Sequence, residues 1–272
     1  MAKRTLLTWL LACGLLTACA ATVDNSGQSF NDLMTSVGSP AVLLLGEQHD
    51  ASAHQRLQRQ LVKALGRERR LAAVVLEMVE QGKSTMGLGP SATEVEVRQA
   101  LGWDEQTGWP WPSYGQVVMA AVQLGVPVHG GNLPRRAMRS AMQDLSLDRL
   151  LTPEALAQQA QGIRQGHCGL LPDAQIPGMV RIQTARDLSL ANTAEALVQP
   201  GKTVLLIAGQ GHVRRDLGVP VHLSAGLSRH IVMARTSADG GQGSDLPADS
   251  TWTTNAPPAK DHCAELVRQL GR

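Results

Sequence analysis

The sequence predicts an α/β domain: a central, mainly parallel sheet flanked by helices, with a helical insertion. Three observations lead there. Short, almost continuously apolar runs recur along the chain, as strands covered on both faces require. Longer amphipathic segments alternate with them, the pattern of βα units. Four of the apolar runs end in glycine, carboxylate or imidazole, the composition of strand ends that open onto a ligand site.

The first 18 residues stand apart from that pattern. Lys3 and Arg4 precede an apolar run over residues 6–16, and small residues then lead to Leu16-Thr17-Ala18-Cys19. This is the grammar of a signal peptide at 1–18, with an apolar run shorter than the about 20 residues of a spanning helix. Leu-Thr-Ala-Cys resembles the lipobox of bacterial lipoproteins, which implies a lipid on Cys19, whereas Leu10-Leu11-Ala12-Cys13 fits the same pattern only loosely. Ala20 after the cysteine implies sorting to the outer membrane. Residues 19–30 read as the lipidated cysteine and a small, polar tether. Removing 1–18 lowers the basic count from 25 to 23, equal to the 23 acidic residues. The mature domain, 31–272, is thus about neutral and lacks the basic excess of a nucleic-acid-binding protein.

Within that domain the strand candidates are residues 41–45, 72–76, 126–129 and 203–208, with 219–223 and 230–234 as later strands and 251–254 as an edge strand. Helices are expected at 52–65, with Ser52 as N-cap and Gly66 as its stop, and at 113–124, 134–145, 153–165, 176–198 and 259–270. Residues 146–175 read as the helical insertion. The Gly, Ser and Asp content of 237–249 reads as a loop. Cys168 and Cys263 are an even pair in an exported chain, so either a disulfide or two buried thiols is consistent with the sequence.

The strand ends carry the chemistry. The first runs into Gly46-Glu47-Gln48-His49-Asp50, the second into Glu77, the third into His129-Gly130-Gly131-Asn132 and the fourth into Gly209-Gln210-Gly211-His212. Glycine lets the backbone turn sharply after a strand and aims the following histidine over the sheet edge. Four separate strands thus deliver a carboxylate or an imidazole to one edge. Imidazoles and carboxylates are both a divalent-metal ligand set and an acid/base set. Each taken singly is also the composition of a helix cap.

These segments, with Tyr114, Val128 through Arg135, Gln183-Thr184-Ala185-Arg186-Asp187 and Ile207 through Pro220, resemble the ChaN-like haem-binding uptake lipoproteins, within a superfamily that includes the Tiki, TraB and erythromycin-esterase proteins. The resemblance runs from about residue 41 to 223 and reaches the surroundings of Cys168 and Cys263. It implies an α/β domain with a helical insertion, a polar pocket of Glu47, His49, Glu77 and His212, haem as cofactor, and service in iron uptake at the envelope. Tyr114, the sole tyrosine, is the one candidate for a phenolate ligand to haem iron, although a tyrosine opening a helix also commonly packs and bonds one neighbour. His129, Asn132, Arg135 and Arg214 are further cofactor-binding candidates, the arginines for the propionates. Trp103, Trp109 and Trp111 suit a porphyrin face or a cap on the sheet edge. Met119, Met138, Met142, Met179 and Met233 read as core fillers.

The wider superfamily implies an alternative: a metal-dependent peptidase or esterase in which His49, His212, Glu47 and Glu77 hold a divalent metal ion or activate water. A third reading leaves the cluster purely structural. Whether haem is stored or passed to an outer-membrane haem transporter, and whether a homodimer shares the flat porphyrin, stays open at this level.

Overall fold

The apolar runs pair into a sheet in which every strand points the same way. The computed structural model describes residues 27–104, 108–239 and 247–269; the expected signal peptide, Cys19, residues 20–26 of the expected tether and part of the expected loop after 237 lie outside them. Among the described residues the strands are β1 (Val42–Glu47), β2 (Leu71–Glu80), β3 (Val128–Asn132), β4 (Thr203–Gly209), β5 (Arg229–Thr236) and β6 (Ser250–Thr254). They lie in the order β3-β2-β4-β1-β5-β6, all neighbours parallel. The ends of β2, β4 and β1 are therefore adjacent, although their sequences are far apart.

Alternation along the strands divides the core into two layers. Leu43 and Leu45 of β1, with Val74 and Leu76 of β2, pack against α1 (Phe30–Val37), α2 (Ser52–Arg67), α3 (Glu94–Leu101) and α4 (Trp111–Gln123). Val42 and Leu44, with Val75, Leu206 and Met233, pack on the other face against Leu190, Ala191 and Ala194 of α7 (Ile176–Ala196). Burial is complete on both faces, which is why these strands read as unbroken apolar runs.

Several helix ends differ from expectation for identifiable reasons. Ala51, not Ser52, occupies the N-cap of α2 and makes no side-chain bond. Gly66 lies inside that helix: a Cβ there would sit 2.8 Å from Leu124, so this glycine serves close packing of α2 on the end of α4. The unforeseen α3 begins with a capping box in which Thr93 and Glu96 satisfy each other's backbone N–H groups. Residues 219–223, expected as a strand, form the short helix α8 (Val219–His222), since Pro220 suits a first helical turn but would leave a sheet ladder without a donor.

The helical excursion also begins earlier than residue 146. It leaves β3 through a 3-10 turn at Arg135–Ala137, continues as α5 (Met138–Gln143) and α6 (Pro153–Gly166), and returns along α7. The expected helix over 134–145 is broken at Asp144, whose carboxylate accepts from the Ser146 N–H at 2.9 Å and starts a new 3-10 turn. Met233 is in the sheet core as expected, but Met138, Met142 and Met179 face a cleft in the excursion.

The last described element is α9 (His262–Gln269), whose residues 262–268 are exposed or half-buried. It is joined to the end of α6 by the Cys168–Cys263 disulfide, whose Cα atoms lie 5.6 Å apart. His262 Nε2 donates to the Gly166 carbonyl at 3.1 Å beside it. No helix among the described residues is long and apolar enough to cross a membrane. Because the disulfide closes a separation of 95 residues, replacing Cys263 with serine should lower unfolding free energy by about 2–4 kcal/mol, read from denaturant midpoints; equal midpoints with and without reductant would show the bond is absent or idle.

Candidate functional site

Glu47 of β1 and Glu77 of β2 flank the end of β4, which lies between their strands, but face opposite layers. Glu47 continues the Leu43 and Leu45 face of β1, towards α2 and α4. Its Oε1 accepts from Tyr114 Oη at 2.6 Å and from His49 Nδ1 at 2.8 Å. Its Oε2 accepts from Gln55 Nε2 at 3.0 Å and from Gln58 Nε2. Four donors thus occupy the acceptor capacity of one buried carboxylate.

Glu77 faces the α7 layer. Its Oε2 accepts from the Gly209 N–H at 2.7 Å, and its Oε1 lies 3.3 Å from His212 Nε2. His212 Nδ1 is 2.5 Å from Asp187 Oδ1 on α7, so the imidazole is clasped between two carboxylates. His49 bridges the two systems, with Nδ1 on Glu47 and Nε2 at 3.8 Å from Glu77. A Cβ on Gly209 would sit 2.8 Å from His49 Nε2 and 3.6 Å from Glu77 Oε2; only glycine at the end of β4 admits this approach.

Burial shapes the protonation of the cluster. It opposes charge on His212, but Glu77 and Asp187 together outweigh it and lift the imidazole to about 10. Burial also pushes Glu77 up, yet His212, His49 and the Gly209 N–H more than reverse this and leave it well below the carboxylate range. For Asp187 burial prevails over His212, raising it to about 6, and its Oδ2 is buried without a hydrogen-bond partner. Burial lowers His49, but the Glu47 bond and the Glu77 charge bring it net upward. The Tyr114 phenol is driven far up, by burial first and then by Glu47.

The sequence therefore places Glu47, His49, Glu77 and His212 in one neighbourhood, and the structure brings all four together. Other candidates fall elsewhere. Tyr114 is 1% exposed, with its ring packed against Trp103 and Trp109 at centroid distances of 6.1 Å. Its oxygen donates to Glu47, so binding iron through the phenolate would first have to break that bond. The three tryptophans cap the sheet edge, Trp109 resting edge-on against His49 at 4.7 Å. His129 has no bond to the cluster, and its Nε2 is buried without a partner. Asn132 acts at one remove, donating Nδ2 to the Glu77 carbonyl at 2.8 Å. Arg214 is turned away and paired with Asp216 at 2.5 and 2.9 Å. The divalent-metal expectation also meets a physical obstacle: Glu47 has no acceptor direction to spare, and among the described residues no group of three or more His, Cys, Asp or Glu is arranged to hold a metal ion.

Arg135 lines a second feature, a cleft of ≈ 610 Å³ between α5, α6 and α7. Met179, Ile182, Gln183 and Arg186 line it from one side of α7, at the 3.6-residue spacing of a single helix face. Met138, Arg139 and Met142 form the opposite wall. Gln183 separates the cleft from the cluster, with Nε2 at 3.0 and 3.1 Å from the two His212 ring nitrogens. The guanidiniums of Arg135, Arg139 and Arg186 have no carboxylate partner among the described residues, and Arg186 Nε is buried without a bond. Gln55, Gln58 and Arg139 had not been singled out in the sequence, and Arg186 and Asp187 had been named only within the segment Gln183-Thr184-Ala185-Arg186-Asp187, with no role given to them. A signal existed for Asp187, an acid at helical spacing from Val180, Leu190, Ala191 and Ala194 on an apolar helix side.

The family model for haem-binding uptake proteins of the Tiki superfamily, ChaN, matches residues 33–223. The chain belongs to that family. ChaN of Campylobacter jejuni, whose structure is described as showing cofacial haem binding, superposes with a TM-score of 0.62 and 24% identity over 78% of this chain and 89% of that one. At that identity the likeness speaks for the fold. The type III effector HopBA1 aligns at a TM-score of 0.42 and 13% identity, over 84% of this chain and 93% of that one, too loosely to carry an argument. No curated protein matches. Haem is thus the cofactor of the family to which this ChaN-type chain belongs, and a ≈ 610 Å³ cleft falls within the about 300–1,000 Å³ of small-molecule sites.

The charge assignment has a measurable sign. A raised His212 pKa stabilises the fold fully below its ordinary 6.5 and is lost as pH rises through about 10. The lowered Glu77 pKa stabilises above its ordinary 4.5 and is lost as pH falls below it. Melting temperature should therefore decline from pH 7 to 10. His212→Gln should cost about 3–5 kcal/mol at pH 7 and flatten that decline; parallel declines in both proteins would refute the buried imidazolium.

Proposed function

We propose that this protein binds haem at the cell envelope and takes part in haem or iron uptake. The observation that carries the reading is the cleft: apolar methionine and isoleucine walls beside three guanidiniums without carboxylate partners, in a chain of the haem-binding uptake family. A porphyrin asks for that pairing, since its flat apolar body needs desolvated walls and its two propionates need cations at the rim. Bound haem would supply an iron centre for ligation and exchange, while the chain supplies walls, charge and shelter from water.

The envelope part of the proposal rests on the signal peptide and lipobox, with Cys19 as the acylated residue and the outer membrane as its address. A neutral mature domain has no electrostatic means of staying at a membrane, so the lipid provides the attachment. A homodimer sharing haem and an outer-membrane haem transporter receiving it belong to the same proposal.

Titrating the purified protein with hemin, with size-exclusion chromatography alongside, tests the core of it. A saturable Soret band of fixed stoichiometry is expected; a band that only scales linearly with added hemin would remove the haem reading. For the anchor, labelled palmitate should be incorporated by the wild-type chain and not by Cys19→Ser, and equal labelling would refute Cys19 as the attachment point.

A further inference from the structure

We propose that the end of α5 and the turn after it form a second membrane contact. The exposed side chains of Met142, Leu145 and Leu150, together with Arg136, Arg139 and Arg149, dock on an anionic lipid surface and fix which side of the anchored domain faces it. The inference rests on the envelope reading above, and it adds an orientation that a lipid on Cys19 alone does not give.

Among the described residues six large apolar side chains are exposed, and three of them fall between residues 142 and 150. Leu145 is 65% exposed, Leu150 39% and Met142 38%. Apolar groups scattered singly over a surface need no explanation, whereas a local concentration marks a contact with protein or lipid. The segment is firmly seated on the domain. Ala141 and Leu147 are buried in one cluster with Ala185 of α7. Arg181 of α7 donates to the Met142 carbonyl at 3.1 Å and to the two Asp148 carboxylate oxygens at 2.9 and 3.0 Å. The turn is thus held from beneath, and Met142, Leu145 and Leu150 are what that packing leaves outside.

Charge favours a lipid surface as the occupant. Both acids of the segment are engaged within the fold, Asp148 by Arg181 and Asp144 by the Ser146 N–H and hydroxyl at 2.9 and 2.6 Å. Arg136, Arg139 and Arg149 are exposed and have no carboxylate partner among the described residues. Leucine and methionine beside unpaired guanidiniums make an interfacial composition: the apolar chains enter the acyl boundary while the cations meet headgroup phosphates. Because the domain is about neutral overall, the patch draws nothing from a distance. Within a Debye length of the surface it decides orientation.

The expected tether is long enough to allow this. The helix α1 packs at the β6 edge of the sheet, with Phe30 edge-on to Trp252 and Ser36 Oγ 2.8 Å from Ser250 Oγ. The excursion leaves from β3, at the opposite edge of the six strands. Five strand spacings amount to about 24 Å, and residues 19–29 can span at most about 36–40 Å. A lipid on Cys19 and the turn can therefore meet one bilayer surface together.

The test uses the acylated chain, extracted in detergent and reconstituted on vesicles of phosphatidylcholine alone or mixed with phosphatidylglycerol, with brominated acyl chains as quenchers. Leu145→Trp places a reporter at the turn, and Val95→Trp, at a position 74% exposed between Glu94 and Glu96 of α3, is the control. The emission that Leu145→Trp adds to wild type should be quenched and blue-shifted on phosphatidylglycerol vesicles and not on phosphatidylcholine alone; that of Val95→Trp should change on neither. Adding Arg136→Gln and Arg149→Gln to Leu145→Trp should lower the ratio of docked to undocked chain by about fivefold per arginine. Raised salt should act in the same direction, with flotation on vesicles and melting temperature unchanged. Equal emission of Leu145→Trp on both kinds of vesicle, or equal quenching of Val95→Trp, would overturn the docking surface and leave the anchor intact. A turn that stays unquenched on vesicles but is covered as the chain is concentrated in detergent belongs to a second copy, which also overturns it. A chain that does not float with vesicles removes the envelope reading and the orientation with it.

Discussion

The structure turns on one buried imidazole held between two carboxylates. His212 joins Glu77 of β2 to Asp187 of α7, and the Gly209 N–H at the end of β4 completes the Glu77 shell. Three elements distant in sequence are thereby pinned at one point of the sheet edge. A charge this deep is tolerated only because its partners and hydrogen bonds are in place, so removal of any one leaves the others exposed to the full cost of burial. The link fixes the rotation and height of α7 on the sheet, and most of the remaining architecture follows from that.

With α7 so placed, its two sides serve two purposes. Leu190, Ala191 and Ala194 close the sheet, while Met179, Ile182, Gln183 and Arg186 open onto the cleft. Gln183 separates ion cluster from cleft, touching His212 on one side and lining the apolar space on the other. The polar cluster therefore acts as a foundation, with Glu47 and Glu77 spent on internal donors. A cluster whose residues resemble an acid/base set is here largely consumed in holding strand ends, helix and tryptophan cap together.

Much of this was legible from residue pattern. The strands could be read because both faces of a parallel sheet are buried, so β1, β2 and β4 appear as unbroken apolar runs. Glu47, His49, Glu77 and His212 could be read because polar groups at strand ends are rare enough to stand out, and parallel topology sends all such ends to one edge. The failures were equally physical. Residues 219–223 are apolar enough for a strand, and only the missing N–H of Pro220 argues otherwise. Gly66 looked like a helix stop because sequence does not reveal that Leu124 lies against it. The depth of Tyr114 and its bond to Glu47 were equally illegible, because both are set by packing between layers.

The amino-acid sequence by itself determined the fold class, the family and the four residues that meet at the sheet edge, since each depends on local periodicity or on residues adjacent to a strand. Only the tertiary structure decided which groups are free to act. Whether a carboxylate has acceptor directions left, which nitrogen of a histidine carries its proton, and whether an arginine has a partner are all set by neighbours tens to hundreds of residues away. Those contacts occupy the acceptor directions of Glu47, give His212 its charge, and leave the cleft arginines without a carboxylate partner among the described residues.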